Sequence, residues 1–422
     1  MTSSFDPFQP VILSHPEAPK LQAHILPYGL VVQKLVLVGR DEEVHDLIVG
    51  PQDPRDHKLK GRNFFGPIIG RFANRLPAGK STFTTQEGEK VEIDLPEFSS
   101  KGVCLHGGPE LASENEFTSI EQPGPFDRAI WQPIHPSNSQ LFHQLESSVP
   151  PSSSALFAIE SPDGDQGYPG RLRVEVTFTL SPASADAAGS LTTNYRAKII
   201  PSSSSTRKVV TPINLTQHWG FNLSSSSTSP QAVAEKNRID QHTFRLVPPE
   251  GSTLYRLGLD EDMLPTGELI DCSQVQENEG RHDWNTEGGK KIQDGSPANG
   301  YDHFYLWGKP SQGDPSDLRA ILSSETTGIT LRFRTNQPGT QLYTTEGQPE
   351  SPADGEKCGG AMKVIHRKHS AQPGEGNGRR SCAMIEFGGP HCGFLIKSLR
   401  ELGGKETLLQ EGQTYDNWVT IE

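Results

Sequence analysis

The chain has 422 residues, 33% of them hydrophobic and 22% charged, with a formal net charge of −13 at neutral pH. A surface of that sign repels nucleic-acid backbones and anionic membranes, and no stretch approaches the roughly 20 apolar residues that span a bilayer, so nucleic-acid and membrane partners are excluded and a small neutral ligand fits better. Five scattered cysteines without a CxxC pair speak against a zinc site and a disulfide framework; with an N-terminal segment, MTSSFDPFQP, that lacks a secretory pattern, the expectation is a reducing, cytoplasmic setting.

Taken in chain order, the hydrophobic period is two rather than 3.6. VVQKLVLV (31–38) opens the series, and Val91, Ile93 and Leu95 alternate with Glu92 and Asp94. RLRVEVTFTL (171–180) places Leu172, Val174, Val176, Phe178 and Leu180 on one face and Arg171, Arg173, Glu175, Thr177 and Thr179 on the other, a half-buried strand. TFRLV (243–247), GITLRFR (328–334) and CAMIEF (382–387) continue it. The best helical candidate, 397–409, is interrupted by Gly403-Gly404. Turns such as PDGD (162–165), PTG (265–267) and QPG (337–339) punctuate the strands. The pattern predicts an all-β fold, a large antiparallel β-sandwich, in one domain over 1–422. Stretches rich in Ser, Pro and Gly near 147–154, 181–206, 224–230 and 349–380 read as insertions, of which 147–154, 201–206, 224–230 and 368–380 are expected to be mobile for want of apolar anchors.

Several segments offer chemistry. GRFANR (70–75) supplies Arg71, Asn74 and Arg75, whose forks and amide suit hydroxyl or carboxylate oxygens. LHGG (105–108) follows His106 with two glycines, which permit close backbone approach. TPINLTQHWGFNL (211–223) surrounds His218 with amides and aromatics, a composition suited to a sugar, and a histidine there can act as acid or base. A core histidine held by its neighbours accounts for the same residues. NGYDHFY (299–305) sets Asp302 and His303 among aromatics, and MIEFGG (384–389) places Glu386 in an apolar strand. That carboxylate either faces solvent opposite Ile385 and Phe387, or faces a pocket where desolvation raises its pKa. GxSxG, P-loop and dinucleotide patterns are absent, and His366 and His369 form an HxxH pair without a third ligand nearby, so no metal or organic cofactor is expected.

In order, these segments resemble the aldose 1-epimerase (galactose mutarotase) family. GRFANRLPAGKSTF (70–83), LHGG, SPDGDQGYPGRLRVEVTFTL (161–180), TPINLTQHWGFNL, LPTGE (264–268), GYDHFY (300–305), TNQPGTQLYT (335–344) and the closing Gly412–Tyr415 stretch are similar to that family's segments, from about Tyr28 to the C-terminus. The resemblance implies a galactose mutarotase-like supersandwich with its site on a concave face. It implies His218 as general acid and Glu386 as general base. Arg75, His106, Asp302 and Gln341 would bind sugar hydroxyls, supported by Asn74 and Arg71. The implied activity is interconversion of the α and β anomers of free aldohexoses. Rival readings are a hexose-6-phosphate 1-epimerase and a non-catalytic sugar-binding protein of the same fold. Two stretches depart from the family's usual pattern: Gln217-His218-Trp219-Gly220, where Asn-His-Ser/Ala-Tyr is common, and Phe387-Gly388-Gly389 after Glu386, where Pro-Gln is common.

Overall fold

A computed structural model of the chain describes residues 5–422 except 41, 60–61, 86–87, 89, 110–123, 143–149, 202–207, 275–280, 309–316, 351–352 and 369–371. Two antiparallel sheets dominate. A nine-stranded sheet runs, edge to edge, through Gln132–Pro133, Ser154–Ser161, Leu172–Ser181, Ser190–Ile199, Tyr415–Ile421, Thr330–Thr335, Leu318–Ser323, Thr243–Leu246 and Lys290–Lys291. A six-stranded sheet runs through Gly220–Phe221, Ala383–Gly388, Gly339–Tyr343, Asp302–Leu306, Tyr255–Leu259 and Pro265–Asp271. A four-stranded sheet of Val11–His15, Ala18–Leu26, Val31–Val38 and Val44–Asp46 covers one end. Val174, Val176 and Phe178 from the first sheet, Leu342, Ile385 and Phe387 from the second, and Ile25 and Val32 from the third share one continuous apolar core. The expected all-β sandwich is the fold that forms.

The strand Leu172–Ser181 pairs in unbroken register with its neighbours on both sides, and its apolar face is buried. Its polar face is not solvated as the alternation implied: Glu175 and Thr177 are also buried. Segment 139–141 folds over them, with the Gln140 and Leu141 amides donating to the Glu175 carboxylate at 3.0 and 3.2 Å, and Arg173 pairs with it at 3.0 Å. The 397–409 segment is a broken helix, a short turn at Lys397–Leu399, a wide turn over Arg400–Gly404 and a tight turn at Lys405–Thr407, with non-helical geometry at Gly403.

The stretches read as insertions are more anchored than their composition suggests. Strand Ser190–Ile199 occupies much of 181–206. In 224–230, Ser224, Ser225 and Ser227 are buried, and their carbonyls accept three hydrogen bonds from the Lys368 ammonium at 3.2, 2.8 and 2.6 Å. One buried cation thereby replaces the apolar anchors that these serines lack. Within 349–380, the Lys363 ammonium donates to the Asp46 carboxylate at 2.8 Å and the Ile48 carbonyl at 2.7 Å, and His366 bonds the Asp46 carbonyl at 2.9 Å. Of 147–154, residues 147–149 lie outside the described residues, while Pro151–Ser153 form a tight helical turn with Ser153 buried and Ser154 opens a strand; 202–206 and His369 also lie outside the described residues.

Buried neutral histidines link this fold to pH. Burial pulls His57 and His242 down to about 3 and His366 to about 4. His242 Nε2 accepts the Leu223 amide at 2.9 Å, which requires that nitrogen to be unprotonated. An unfolded histidine takes its proton near 6.5, so the stabilisation from a depressed group is complete above that pH and is lost as pH falls toward the folded value. The melting-temperature advantage of the wild type over a His242→Asn variant should therefore shrink between pH 7 and pH 5 in scanning calorimetry. A difference that stays constant over that range would contradict the assignment.

Candidate active site

Three adjacent strands build the floor of the site. Register pairs Asp302 with Tyr343 and Tyr343 with Met384, and pairs Phe304 with Gln341 and Gln341 with Glu386. Residues two apart on a strand share a face. Asp302, Gln341, Tyr343, Met384 and Glu386 therefore look out of one face, while Tyr305, Leu342, Ile385 and Phe387 look into the core. Glu386 does lie opposite Ile385 and Phe387, but on a covered face: it is 4% exposed.

The other groups arrive on two loops tied to this floor. The Asn214 amide donates to the Arg71 carbonyl at 2.9 Å, Ala73 donates to the Asn214 carbonyl at 2.8 Å, and the His218 amide donates to Pro67 at 2.9 Å. These bonds zip the GRFANR segment to the His218 segment. His106 has φ +48° and Asn74 φ +66°, left-handed conformations that favour glycine or asparagine. The Asn74 amide donates to His106 Nδ1 at 3.1 Å, so the His106 proton is carried by Nε2. A Cβ on Gly107 would lie 2.2 Å from the Gly70 carbonyl oxygen, which explains a glycine directly after His106.

The result is a cavity of about 210 Å³ lined by His106, His218, Glu386, Asp302, Arg75 and Asn74, with Arg62, Asn63, Phe64, Tyr343, Met384 and Gln348 completing its walls. His218 Nε2 lies 3.2 Å from Glu386 Oε1, with both side chains about 5% exposed or less. The His106 and His218 rings stand nearly perpendicular at 5.0 Å, and Phe64 packs against both. Burial lowers His218 to about 4, opposed by the Phe64 backbone and by Asp127 and Asp302. Burial raises Glu386 well above the usual carboxylate range; Asp302 adds to the rise and Arg75 opposes it. Burial thus disfavours the charged form of each group. Larger clefts of about 580 and 610 Å³ lie elsewhere, and neither is lined by a histidine.

Of the eight residues singled out from sequence, six line this cavity: Asn74, Arg75, His106, His218, Asp302 and Glu386. Gln341 stands behind them, donating through Nε2 to Asp302 Oδ1, while the Asp302 Oδ2 accepts from Arg75 at 3.0 Å. Arg71 is the exception. Its guanidinium is buried and turned away, donating to Ser161 Oγ at 2.8 Å and to the Ser161 and Pro162 carbonyls at 3.0 and 2.6 Å. It fastens the SPDGDQGYPG turn and does not reach a ligand in the cavity. The departures around His218 and Glu386 also point away from the cavity. Trp219 is in the core against Phe178 and Phe221, Gln217 bonds Tyr195 at 3.1 Å, and Gly389 exchanges hydrogen bonds with the Asn214 amide at 2.9 and 3.1 Å.

The reading of the sequence missed Arg62, Asn63 and Phe64, whose only signal was adjacency to the GRFANR segment. Arg62 is buried, donating from Nε to Asp127 at 3.0 Å and from Nη1 to the Gly108 carbonyl at 2.7 Å, with its guanidinium over the Phe64 and Phe98 rings. Among the described residues, His106, His218 and Glu386 are also the group that could hold a metal ion, their donor atoms lying within 4.8 Å of one another.

The family model described as aldose 1-epimerase matches residues 13–376. The galactose mutarotase of Homo sapiens is 29% identical over 325 residues, covering 77% of this chain and 74% of its own, and the aldose 1-epimerase of Escherichia coli strain K12 is 26% identical over 336 residues, covering 78% and 77%. Among solved structures, an aldose epimerase homologue from C. elegans superposes with TM-score 0.67 at 17% identity, covering 98% of this chain and 97% of its own. A galactose 1-epimerase from Lactobacillus acidophilus superposes with TM-score 0.62 at 20% identity, covering 97% and 92%. With the family model matching most of the chain over a sandwich of the same fold, this protein belongs to the aldose 1-epimerase family.

Proposed function

We propose that this chain interconverts the α and β anomers of free aldohexoses, of the glucose or galactose type, with His218 and Glu386 exchanging protons with the sugar. The observation that carries the reading is the 3.2 Å approach of His218 Nε2 to Glu386 Oε1 inside a covered, sugar-sized cavity. Ring opening requires removal of a proton from the anomeric hydroxyl and delivery of one to the ring oxygen. In the working form His218 carries the proton as imidazolium and Glu386 is the carboxylate. The Glu386 carboxylate then takes the anomeric proton as the His218 imidazolium protonates the ring oxygen. The C1–O5 bond breaks as C1=O1 forms, and C1 rotates about C1–C2. The new O5 hydroxyl attacks the other face of C1, returning its proton to His218 while Glu386 returns one to O1. A positioned proton transfer is worth roughly 100-fold or more. Nε2–H of His106, the Arg75 guanidinium and Asp302 would hold hydroxyls while C1 turns, an orientation effect.

Two features favour a free sugar over a sugar phosphate. The cations of the cavity are already paired, Arg62 with Asp127 and Arg75 with Asp302. Glucose should therefore be turned over with a higher kcat/KM than glucose 6-phosphate, by polarimetry of each freshly dissolved anomer.

His218→Ala and Glu386→Gln should each lower turnover by orders of magnitude in polarimetry of fresh α-D-glucose and α-D-galactose, with circular dichroism unchanged. Because the two act on one proton circuit, the double variant should be little slower than the slower single variant. A well-folded His218→Ala that keeps near wild-type turnover would remove this mechanism.

The pH dependence follows from the same groups. The cavity stops working when it gains a second proton, and burial moves that event on His218 from near 6.5 down to about 4. The acid limb of kcat/KM should lie near pH 4 while the protein remains folded, and an acid limb at pH 6.5 would show His218 to be solvated in the working enzyme.

Proton exchange also assigns His106, His218 and Glu386 to hydrogen bonding rather than to a metal. A tetrahedral zinc with bonds of about 2.0–2.1 Å would hold donors about 3.4 Å apart. EDTA should leave the rate unchanged; loss of activity restored by a divalent metal would assign the three residues as ligands.

A further inference from the structure

The face that carries Asp302, Gln341 and Glu386 also carries Tyr343, whose side chain lines the same cavity. Register sets Tyr343 beside Asp302 on one neighbouring strand and beside Met384 on the other, and so diagonal to Glu386. Diagonal neighbours in a sheet stand roughly 7–8 Å apart, a distance comparable with the width of one pyranose. A sugar whose anomeric carbon meets Glu386 can therefore present a hydroxyl from another part of its ring to Tyr343 and Asp302.

The phenol is reachable, and its proton has no protein acceptor. Tyr343 is half-buried and Gly347 is exposed, and the Gly347 amide donates to the Tyr343 oxygen at 3.1 Å. Among the described residues this is the hydrogen bond that the phenol makes, and its own O–H donates to none of them. Conjugation keeps a phenol O–H in the plane of its ring. The Gly347 N–H takes one in-plane side of the oxygen and leaves the proton for the other. Partial burial pushes the phenol up to about 12, so it keeps that proton at neutral pH.

The turn that brings Gly347 to the phenol is built for this approach. A Cβ on Gly347 would lie 2.9 Å from the Tyr343 oxygen. Glu346, the residue before it, accepts from the Nε of both Arg379 and Arg380, and Arg380 is itself fixed by Asp240 at 3.0 Å and by Ser296 at 2.8 Å. Asp302, next to Tyr343, is the converse group: its two oxygens accept from Gln341 and Arg75. A phenol that gives a proton beside a carboxylate that takes one complements a hydroxyl, which does both.

We infer that Tyr343 is a specificity-determining residue, donating a hydrogen bond to one sugar hydroxyl away from the anomeric centre, on the Asp302 side of the cavity. This rests on the reading of the cavity as a sugar site.

The test crosses Tyr343→Phe, which removes the phenol oxygen and keeps the ring, with sugars that each lack one hydroxyl. The better substrate of D-glucose and D-galactose is compared with its 2-, 3-, 4- and 6-deoxy forms, kcat and KM being measured by polarimetry above the spontaneous rate. A hydrogen bond between neutral groups contributes roughly 2- to 13-fold. On the parent sugar the variant should raise KM by about that factor with kcat little changed and with circular dichroism unaltered. One deoxy sugar should show the same rise already with the wild type, and on that sugar the substitution should have no further effect. The other deoxy sugars should still lose the factor. An equal rise in KM on every sugar would mean that the phenol acts only on the shape of the cavity, and would overturn the proposal. No rise on any sugar, or a fall in kcat with KM unchanged, would overturn it as well. If the wild type turns over none of these sugars, the catalytic reading fails, and Kd from calorimetry over the same grid decides. Coupling of the phenol to one hydroxyl would then uphold the proposal, and absence of binding by every sugar would overturn it.

Discussion

Glu386 can face a ligand only because Ile385 and Phe387 face the core. The alternation of a strand ties a buried ionisable group to two buried apolar ones, and the rest of the site depends on that constraint. Because the strand is central in its sheet, Gln341 and Tyr343 on one neighbour and Asp302 on the next are brought to the same face in fixed register. Because the face is covered, burial disfavours charge on both Glu386 and His218. The same burial that secures the sandwich therefore shifts both groups toward their neutral forms.

Much of this was legible in the residues, and the limits of legibility are physical. Period-two patterning located the strands at 31–38, 171–180 and 382–387 because each has an apolar face that meets the core. It could not tell that the polar face of Leu172–Ser181 is also covered, since Glu175 is satisfied by amides of a segment more than thirty residues away in sequence. The six motif residues that meet in the cavity lie in short polar and glycine-rich runs that stood out from the strand patterning, and it was the family resemblance that gave them roles. Arg71 was misplaced because arginine in such a run can serve either a ligand or a backbone turn, and only the direction of its side chain decides. Asn63 and Phe64 carried no signal beyond their nearness to GRFANR, and Gln348 carried none.

The serine- and glycine-rich stretches show where composition misleads. Low apolar content implies that a segment cannot offset its ordering entropy by hydrophobic burial. Here the deficit is met by buried lysines. Lys368 gathers the carbonyls of 224–227, and Lys363 fastens the 349–380 segment to the four-stranded sheet through Asp46, Ile48 and Gln33. Burial pulls the Lys363 pKa down, with Asp46 opposing it, and several hydrogen bonds are what make such a site tolerable.

The cavity draws on segments near residues 63–75, 106, 218, 302, 343–348 and 386. No shorter portion of the chain contains both proton-transfer groups and the residues around them, and the last of these strands is inserted between partners made long before it. On a ribosome the N-terminal sheet and the run from Gln132–Pro133 to Ser190–Ile199 can form early, yet the cavity stays open to water until strand Ala383–Gly388 has emerged and docked between Gly220–Phe221 and Gly339–Tyr343, and the two halves of the large sheet join only when Tyr415–Ile421 follows. The cavity is therefore complete only near the end of synthesis, and whatever binds in it favours only the finished fold.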